Sequence, residues 1–171
     1  MAEIRKNAIT WKVPTDLEGP EIKAGDKAPS AFTLVGTDMS EVKGSDLNGS
    51  IRILCAVPSL DTPVCDIEMK RFNTEAGKLP GATVAAISLD LPFAAKRWCG
   101  ATGSDKIRAL SDYKYRNFGT AYGVYAPSKG LLCRAVFVVG KDDVVKYAEY
   151  VADVGKEPNY DAALAAAKAL V

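Results

Sequence analysis

Several stretches of the chain are almost continuously apolar, the pattern of strands that are covered on both faces of a sheet. Residues 51–57 and 83–89 have this pattern, and so do residues 131–139, although an arginine interrupts the last stretch. Residues 144–151 follow after the polar turn at residues 140–143, so we expect these last two strands to form a hairpin. The pattern therefore predicts the buried centre of a sheet.

Helices are predicted between and after these strands. The first covers residues 63–76 and follows Thr62, which can cap its N-terminus, while Pro63 takes the favoured first position. The second runs from Pro92 to about Cys99, and the last covers residues 159–171. The first helix has the apolar stripe Cys65, Met69, Phe72 and Ala76, and the last has Tyr160, Ala163, Leu164, Ala167 and Val171 on one face.

The first fifty residues read as short strands separated by turns. Residues 9–13 alternate in polarity, residues 21–23 are expected to pair with them, and Gly25-Asp26 forms a turn before a further short strand at residues 32–35. After this hairpin the order is βαβα, then a second β-hairpin and a helix. That order describes an α/β protein whose central mixed sheet has helices on its faces, and a thioredoxin-like fold is the natural candidate.

Length and composition indicate one ordinary globular domain, residues 1–171. The chain is 48% hydrophobic and 25% charged. Its 22 basic and 21 acidic residues give a formal charge of +1, so no nucleic-acid or anionic-membrane partner is expected. No stretch approaches the roughly 18 apolar residues of a membrane span, and residues 1–6 lack the apolar stretch of a secretory signal. We therefore expect a cytoplasmic protein.

The chemistry is narrowed by the absence of histidine. Without histidine the chain cannot use Ser-His-Asp or Cys-His catalysis, and most zinc sites are disfavoured, so we expect its chemistry to be done by thiols, hydroxyls or charge. The four cysteines are Cys55, Cys65, Cys99 and Cys133, and they contain no C-x-x-C pair. In a reducing compartment they are expected to be thiols rather than a structural disulfide framework.

Cys65 is the most informative of these thiols. If Thr62 is the N-cap, Cys65 is the third helical residue, close to unpaired backbone N–H groups and to the positive end of the helix dipole. Such a position favours an anion, and the thiolate is the reactive form of cysteine. The alternative is that Cys65 is a small apolar residue on the core face of the helix.

The neighbours of Cys65 resemble a known catalytic pattern. Pro58-x-x-x-Thr62-x-x-Cys65 is similar to the peroxidatic signature of the peroxiredoxins, and the stretch from Pro58 through Phe72-Asn73 resembles the thiol peroxidase branch, the atypical two-cysteine type. The resemblance covers nearly the whole chain, including an extension of strands over about residues 1–27.

Arg134 lies in the apolar stretch at residues 131–139, where a guanidinium is unfavourable unless it meets an anion or several acceptors. From the residues alone, a structural salt bridge remains an alternative. The resemblance implies that Arg134 lies beside Cys65, holds it ionised and polarises the peroxide. It also implies that Pro58 covers the sulfur and that Thr62 adds a hydroxyl near it.

Cys99 follows Trp98 near the expected end of the second helix, and it could be a partly buried helix-terminal thiol. The resemblance instead implies that it is the resolving cysteine. Bonded cysteines have Cα atoms less than about 7 Å apart, so we expect the segment around Cys65, around Cys99 or both to unwind partly on oxidation.

The resemblance implies a peroxidase that reduces hydrogen peroxide and organic hydroperoxides and needs no metal, haem or flavin, which agrees with the missing histidines. The resemblance implies that Cys65 becomes a sulfenic acid and that Cys99 closes an intramolecular disulfide on it. It also implies that thioredoxin re-reduces this disulfide and that the working unit is a homodimer. Cys55 and Cys133 are assigned to packing. The alternatives are a thiol–disulfide oxidoreductase on the same fold, a redox relay or holdase, and an α/β domain whose cysteines only pack.

Overall fold

A computed structural model describes residues 2–171; Met1 of the predicted domain lies outside them. In chain order the strands are β1 (Ile4–Trp11), β2 (Val13–Glu18), β3 (Thr33–Gly36), β4 (Glu41–Lys43), β5 (Ile51–Ala56), β6 (Ala82–Ser88), β7 (Arg108–Ser111), β8 (Tyr125–Ala126), β9 (Leu131–Leu132), β10 (Ala135–Val139) and β11 (Val145–Tyr150). The helices are α1 (Pro63–Ala76), α2 (Pro92–Thr102), α3 (Asn117–Ala121) and α4 (Tyr160–Lys168), and a short 3₁₀ turn covers Gly44–Leu47.

The central sheet has seven strands in the order β11-β10-β5-β6-β7-β3-β4. Strands β5, β6 and β7 are parallel, whereas the other neighbouring pairs are antiparallel. A smaller sheet has the order β1-β2-β8-β9. The predicted α/β architecture with a mixed sheet is therefore confirmed.

Alternate residues of the central strands enter different cores on the two faces of this sheet. In β5, Ile53 and Cys55 pack with α1 and α4, whereas Leu54 and Ala56 pack with α3 and the N-terminal hairpin. Every residue of β5 is buried, which explains the continuous apolar run in the sequence.

The N-terminal hairpin is confirmed, but its predicted partners were wrong. Strand β1 pairs with β2, and Trp11 faces Val13 across a turn at Lys12, whose φ is 62°. Residues 21–23 belong to no strand. The sequence pattern concealed β2 because Pro14 interrupts it, yet Pro14 is tolerated since only the end of β2, at Glu18, pairs with β8.

Two other boundaries differ from the prediction. Helix α2 continues past Cys99 to Thr102 and ends at Gly103, which adopts a left-handed φ of 66°. Residues 131–139 form two strands rather than one, with Cys133 and Arg134 between β9 of the small sheet and β10 of the large one. Hydrophobicity does not reveal this break because the chain is buried on both sides of it.

The C-terminal prediction was also too long. Helix α4 ends at Lys168, and Val171 lies beyond it with 60% of its surface exposed. Strand β7 and helix α3 were not predicted, because elements of four and five residues carry little periodicity. In residues 2–171, no helix has the length and apolar character needed to cross a membrane.

Candidate active site

Cys65 is placed by the first turn of α1, after the loop that leaves β5. Thr62 is extended, with φ −99° and ψ 149°, and its hydroxyl accepts a hydrogen bond from the Cys65 N–H at 3.4 Å. The same hydroxyl donates to the Ser59 carbonyl at 3.2 Å. Thr62 is thus the N-cap, Pro63 is the first helical residue and Cys65 is the third, as the sequence predicted.

The Cys65 sulfur meets Arg134. The side chain of Cys65 is fully buried, and Arg134 Nη1 donates to Sγ at 3.3 Å across 69 residues of sequence. Arg134 Nε donates to the Val154 carbonyl at 3.1 Å, which orients the guanidinium. A cation in contact with the sulfur stabilises a thiolate relative to a thiol, and a thiolate is the nucleophile that cysteine chemistry needs.

Glu68 completes this cluster, and the sequence analysis missed it. Arg134 Nη1 also donates to Glu68 Oε2 at 2.6 Å, so the guanidinium meets both a carboxylate and the thiol. Both alternatives considered for Arg134, an anion-binding role and a structural salt bridge, are therefore present together. One sequence feature could have indicated that Glu68 is buried, namely its helical spacing. Glu68 is three residues after Cys65 and four before Phe72, on the buried face of α1.

Burial governs the electrostatics of the cluster. Glu68 is 0% exposed and its Oε1 has no hydrogen-bond partner. Desolvation raises the pKa of Glu68 to about 7, although Arg134 opposes this shift. Burial acts to lower the pKa of Arg134, but the negative charges of Cys65 and Glu68 outweigh it and raise that pKa overall. The guanidinium is therefore charged at any physiological pH.

A cavity of about 490 Å³ opens above the cluster. Pro58, Thr62, Val64 and Arg134 line it, together with Trp11 of the N-terminal hairpin. Cys65 does not line the cavity itself, but Arg134 both lines it and contacts the sulfur, so the thiol lies one side chain below. The cavity combines one cationic group with apolar walls and is large enough for a small organic molecule.

Cys99 is not brought to this cavity. It lies inside α2, half-buried, and lines a separate cavity of about 370 Å³ with Asp38, Ser104 and Arg108. Both Cys65 and Cys99 are free thiols, and burial raises the pKa of Cys99. The expected disulfide and the expected unwinding thus remain predictions.

Cys55 and Cys133 are fully buried on opposite faces of the sheet. Desolvation raises the pKa of Cys55 well above its usual range and that of Cys133 to about 12. Both thiols therefore stay protonated and unreactive in the folded chain, which supports their assignment to packing.

Known proteins share this arrangement of elements. Residues 23–164 match the family model described as Redoxin. Over 164 residues, 95% of this chain and 98% of the relative, the sequence is 48% identical to the thiol peroxidase of Bacillus subtilis (strain 168). The chain belongs to the thiol peroxidases of the Redoxin family. The Clostridium acetobutylicum thiol peroxidase is 48% identical to this Redoxin-family chain over 153 residues, 90% of the chain and 92% of that relative.

A solved structure agrees with this placement in the Redoxin family. The crystal structure of a peroxiredoxin-like protein from Aquifex aeolicus superposes with a TM-score of 0.89 at 37% identity. The match covers 99% of each chain, so it includes the N-terminal hairpin as well as the central sheet.

Proposed function

We propose that this protein is a thiol-dependent peroxidase in which Cys65 attacks the peroxide. The observation that carries the proposal is the contact between Arg134 Nη1 and Cys65 Sγ, at 3.3 Å in a fully buried site. A fixed cation in a dry site stabilises the thiolate before the reaction and the departing oxygen during it.

In the first step a peroxide enters through the cavity that Trp11 and Arg134 line and passes the guanidinium to reach the buried sulfur, and the Cys65 thiolate attacks one of its oxygens. The O–O bond breaks, the sulfur is oxidised to a sulfenic acid, and the other oxygen leaves as an alcohol or water after taking up one proton. Arg134 and Thr62 line the cavity and act on the reacting oxygens, while Pro58 limits the access of water. The apolar walls suit organic hydroperoxides as well as hydrogen peroxide.

In the second step the Cys99 thiol attacks the sulfenic sulfur of Cys65. A Cys65–Cys99 disulfide forms and one water leaves, so the two electrons taken by the peroxide come from the two thiols. An external dithiol protein then reduces the disulfide by exchange, and we propose thioredoxin for that role. No metal or cofactor takes part in these steps.

The remaining assignments are proposals of the same kind. Residues 1–171 act as one domain, because Ile9 and Leu17 of the hairpin are buried in the same core as the central strands. The working unit is a homodimer, and the compartment is the reducing cytosol, which suits a chain whose cysteines are all free.

The test is peptide mass mapping of the reduced protein after one equivalent of hydrogen peroxide, with time points taken by rapid acid quench. A rapid, single Cys65–Cys99 disulfide is expected, with Cys55 and Cys133 still free. Cys65→Ser should abolish peroxide consumption, Cys99→Ser should accumulate the Cys65 sulfenic acid, and the matched control Cys133→Ala should behave as wild type. Slow oxidation, or oxidation first at Cys133 or between chains, would contradict the peroxidase assignment and favour a redox relay.

A further inference from the structure

The two helices that carry the reactive cysteines are joined by one side-chain hydrogen bond. Trp98 Nε1 donates to Asp66 Oδ1 at 2.9 Å, and over residues 2–171 no other hydrogen bond links α1 to α2. Trp98 directly precedes Cys99, and Asp66 directly follows Cys65. The bond therefore lies between the immediate neighbours of the proposed disulfide pair.

This bond also sets the rotation of α2 around Cys99. Trp98 and Cys99 both pack at the edge of the core that contains Cys65, but successive residues on an α-helix are turned by roughly 100°, and the two side chains line different cavities. Trp98 turns to α1 and lines a cavity of about 640 Å³ with Leu60 and Asp61, which belong to the loop before that helix. Cys99 instead lines the separate cavity of about 370 Å³ beside Ser104. While Trp98 is bound to Asp66, Cys99 lies in a cavity whose lining does not include Cys65.

We propose that the Trp98–Asp66 hydrogen bond is a clasp that must open before Cys99 can reach the Cys65 sulfenic acid. Trp98 and Asp66 are then positioning residues for the resolving step, and they contact neither peroxide nor the reacting sulfurs. This inference rests on the peroxidase cycle proposed above.

Asp66, the acceptor of this hydrogen bond, is held in place by an ion pair with Lys70. Lys70 Nζ lies 2.7 Å from the second oxygen of Asp66, one helical turn later in α1. Hydrogen bonds from Lys70 and Trp98 lower the pKa of Asp66, although partial desolvation opposes them, so the acceptor stays charged near neutral pH. A hydrogen bond to a charged acceptor is stronger than one between neutral groups.

Besides this hydrogen bond, the C-terminal end of α2 is held by the left-handed Gly103, whose N–H donates to the Cys99 carbonyl. Leu91 makes no side-chain cap, and neither the first turn nor the last turn carries a charge that complements the helix dipole. Gly100, next to Cys99, is helical with open space around the position of a Cβ, so no packing requires it there. Once the clasp opens, unwinding around Cys99 must break the backbone hydrogen bonds that Gly103 and Ser104 donate to the Cys99 carbonyl, but no side-chain packing at Gly100.

The clasp affects which of two reactions consumes the Cys65 sulfenic acid. In the resolving reaction the sulfenic acid of Cys65 and the thiol of Cys99 give a disulfide and one water. In the competing reaction a second peroxide oxidises the sulfenic acid to a sulfinic acid and leaves as an alcohol or water. A closed clasp delays the first reaction and so gives the second more time.

The experiment measures both steps by rapid quench and mass spectrometry in the full-length protein, with Trp98→Phe as the main variant. Phenylalanine keeps an aromatic ring but removes the N–H donor. We expect Cys65 oxidation to proceed within twofold of wild type, and disulfide formation to accelerate about tenfold. The sulfinic fraction at high peroxide should fall in the same proportion.

Asp66 supplies the matched variants. Asp66→Asn keeps an acceptor oxygen but loses the charge, so it should resolve at a rate between those of wild type and Asp66→Ala, whereas Asp66→Ala should accelerate resolution as Trp98→Phe does. The double variant Trp98→Phe with Asp66→Ala should be no faster than either single variant, because both remove one bond. Amide exchange over residues 92–102 of the reduced protein should rise in Asp66→Ala, and this readout stands even if the tryptophan variant folds poorly.

The outcomes separate the two proposals. If wild type forms the sulfenic acid rapidly but Trp98→Phe resolves no faster and amide exchange in Asp66→Ala is unchanged, the clasp is wrong and the peroxidase function stands. If Cys65 of wild type does not react rapidly with peroxide, it is the proposed function that fails.

Discussion

The guanidinium of Arg134 and the carboxylate of Glu68 form a fully buried ion pair, with Nη1 2.6 Å from Oε2 and side chains 2% and 0% exposed. Burying two charges carries a desolvation penalty that their attraction does not always outweigh. The pair is therefore poorly explained as a stabilising feature. Its position beside Cys65 explains it better, because Glu68 helps to hold the one cation that contacts the sulfur.

Replacing Arg134 should separate its catalytic effect from its effect on folding. Arg134→Met removes the donor to Cys65 and leaves Glu68 buried without a partner, so we expect Cys65 oxidation to slow by about a hundredfold or more. The free energy of unfolding should fall by about 3–5 kcal/mol. Stopped-flow peroxide kinetics and urea denaturation measure the two effects.

The matched control is Arg134→Met combined with Glu68→Gln. It removes the unpaired carboxylate, so much of the stability should return while the rate stays low. Recovery of the rate in this double variant would show that Arg134 acts only by neutralising Glu68.

The stability of the reduced protein should depend on pH through Glu68. Because burial raises the pKa of Glu68 from 4.5 to about 7, the folded chain holds a proton between these values that the unfolded chain releases. The free energy of unfolding gains a contribution that is complete below about pH 4.5 and is lost as the pH rises through about 7. Relative to Glu68→Gln, wild type should lose on the order of 2–3 kcal/mol between pH 4.5 and pH 8 by urea denaturation.

Asp112 is a second buried carboxyl, with a pKa raised by desolvation to about 6, but both proteins contain it and its effect cancels in the difference. A difference between wild type and Glu68→Gln that does not change with pH would mean that Glu68 does not titrate in this range.

Thr62 should contribute through its hydroxyl to both the helix and the reaction. Thr62→Val keeps the shape but removes the acceptor for the Cys65 N–H, so thermal unfolding should report a loss of about 1 kcal/mol. We also expect slower oxidation of Cys65. Thr62→Ser retains the hydroxyl and should preserve both properties; wild-type kinetics in Thr62→Val would remove Thr62 from the proposed site.

Gly100 offers a test of unwinding in α2 that does not touch the clasp. Because the residue is helical with open space at the Cβ position, Gly100→Ala should stabilise the helix by roughly 0.5–1 kcal/mol. Disulfide formation in rapid-quench experiments should slow severalfold, while Cys65 oxidation is unchanged.

Gly103→Ala is the opposite control. Gly103 has a left-handed φ of 66°, so alanine there strains the helix end and should speed resolution. If both alanine variants resolve like wild type, α2 does not need to unwind.

Local sequence signals determined one part of the site completely. Helix α1 begins where Thr62 and Pro63 predict and covers the expected residues 63–76, because caps and proline act within one turn of the helix. Cys65, the proposed nucleophile, could thus be placed at a helix N-terminus from a few neighbouring residues. The central strands could also be predicted from the sequence, since strands covered on both faces have continuous apolar runs.

Other features depended on contacts between distant segments. The break at Arg134 lies in an unbroken buried stretch, and its guanidinium reaches Cys65 only because β10 lies beside β5, the strand that leads to α1. The direction of Cys99 depends on Trp98 meeting Asp66 in another helix.

The sequence by itself therefore determined the elements, the fold class and the residue types available for thiol chemistry. Only the tertiary structure decided that Arg134 contacts both Cys65 and Glu68 in a buried site, and that Cys99 lines a cavity separate from that site. The physical reason is the distance along the chain over which each kind of interaction acts. Caps, prolines and periodic burial act over a few residues and leave a pattern along the chain. Desolvation and ion pairing depend instead on which residues, distant in sequence, are in contact in the folded chain. No local sequence pattern indicates those contacts.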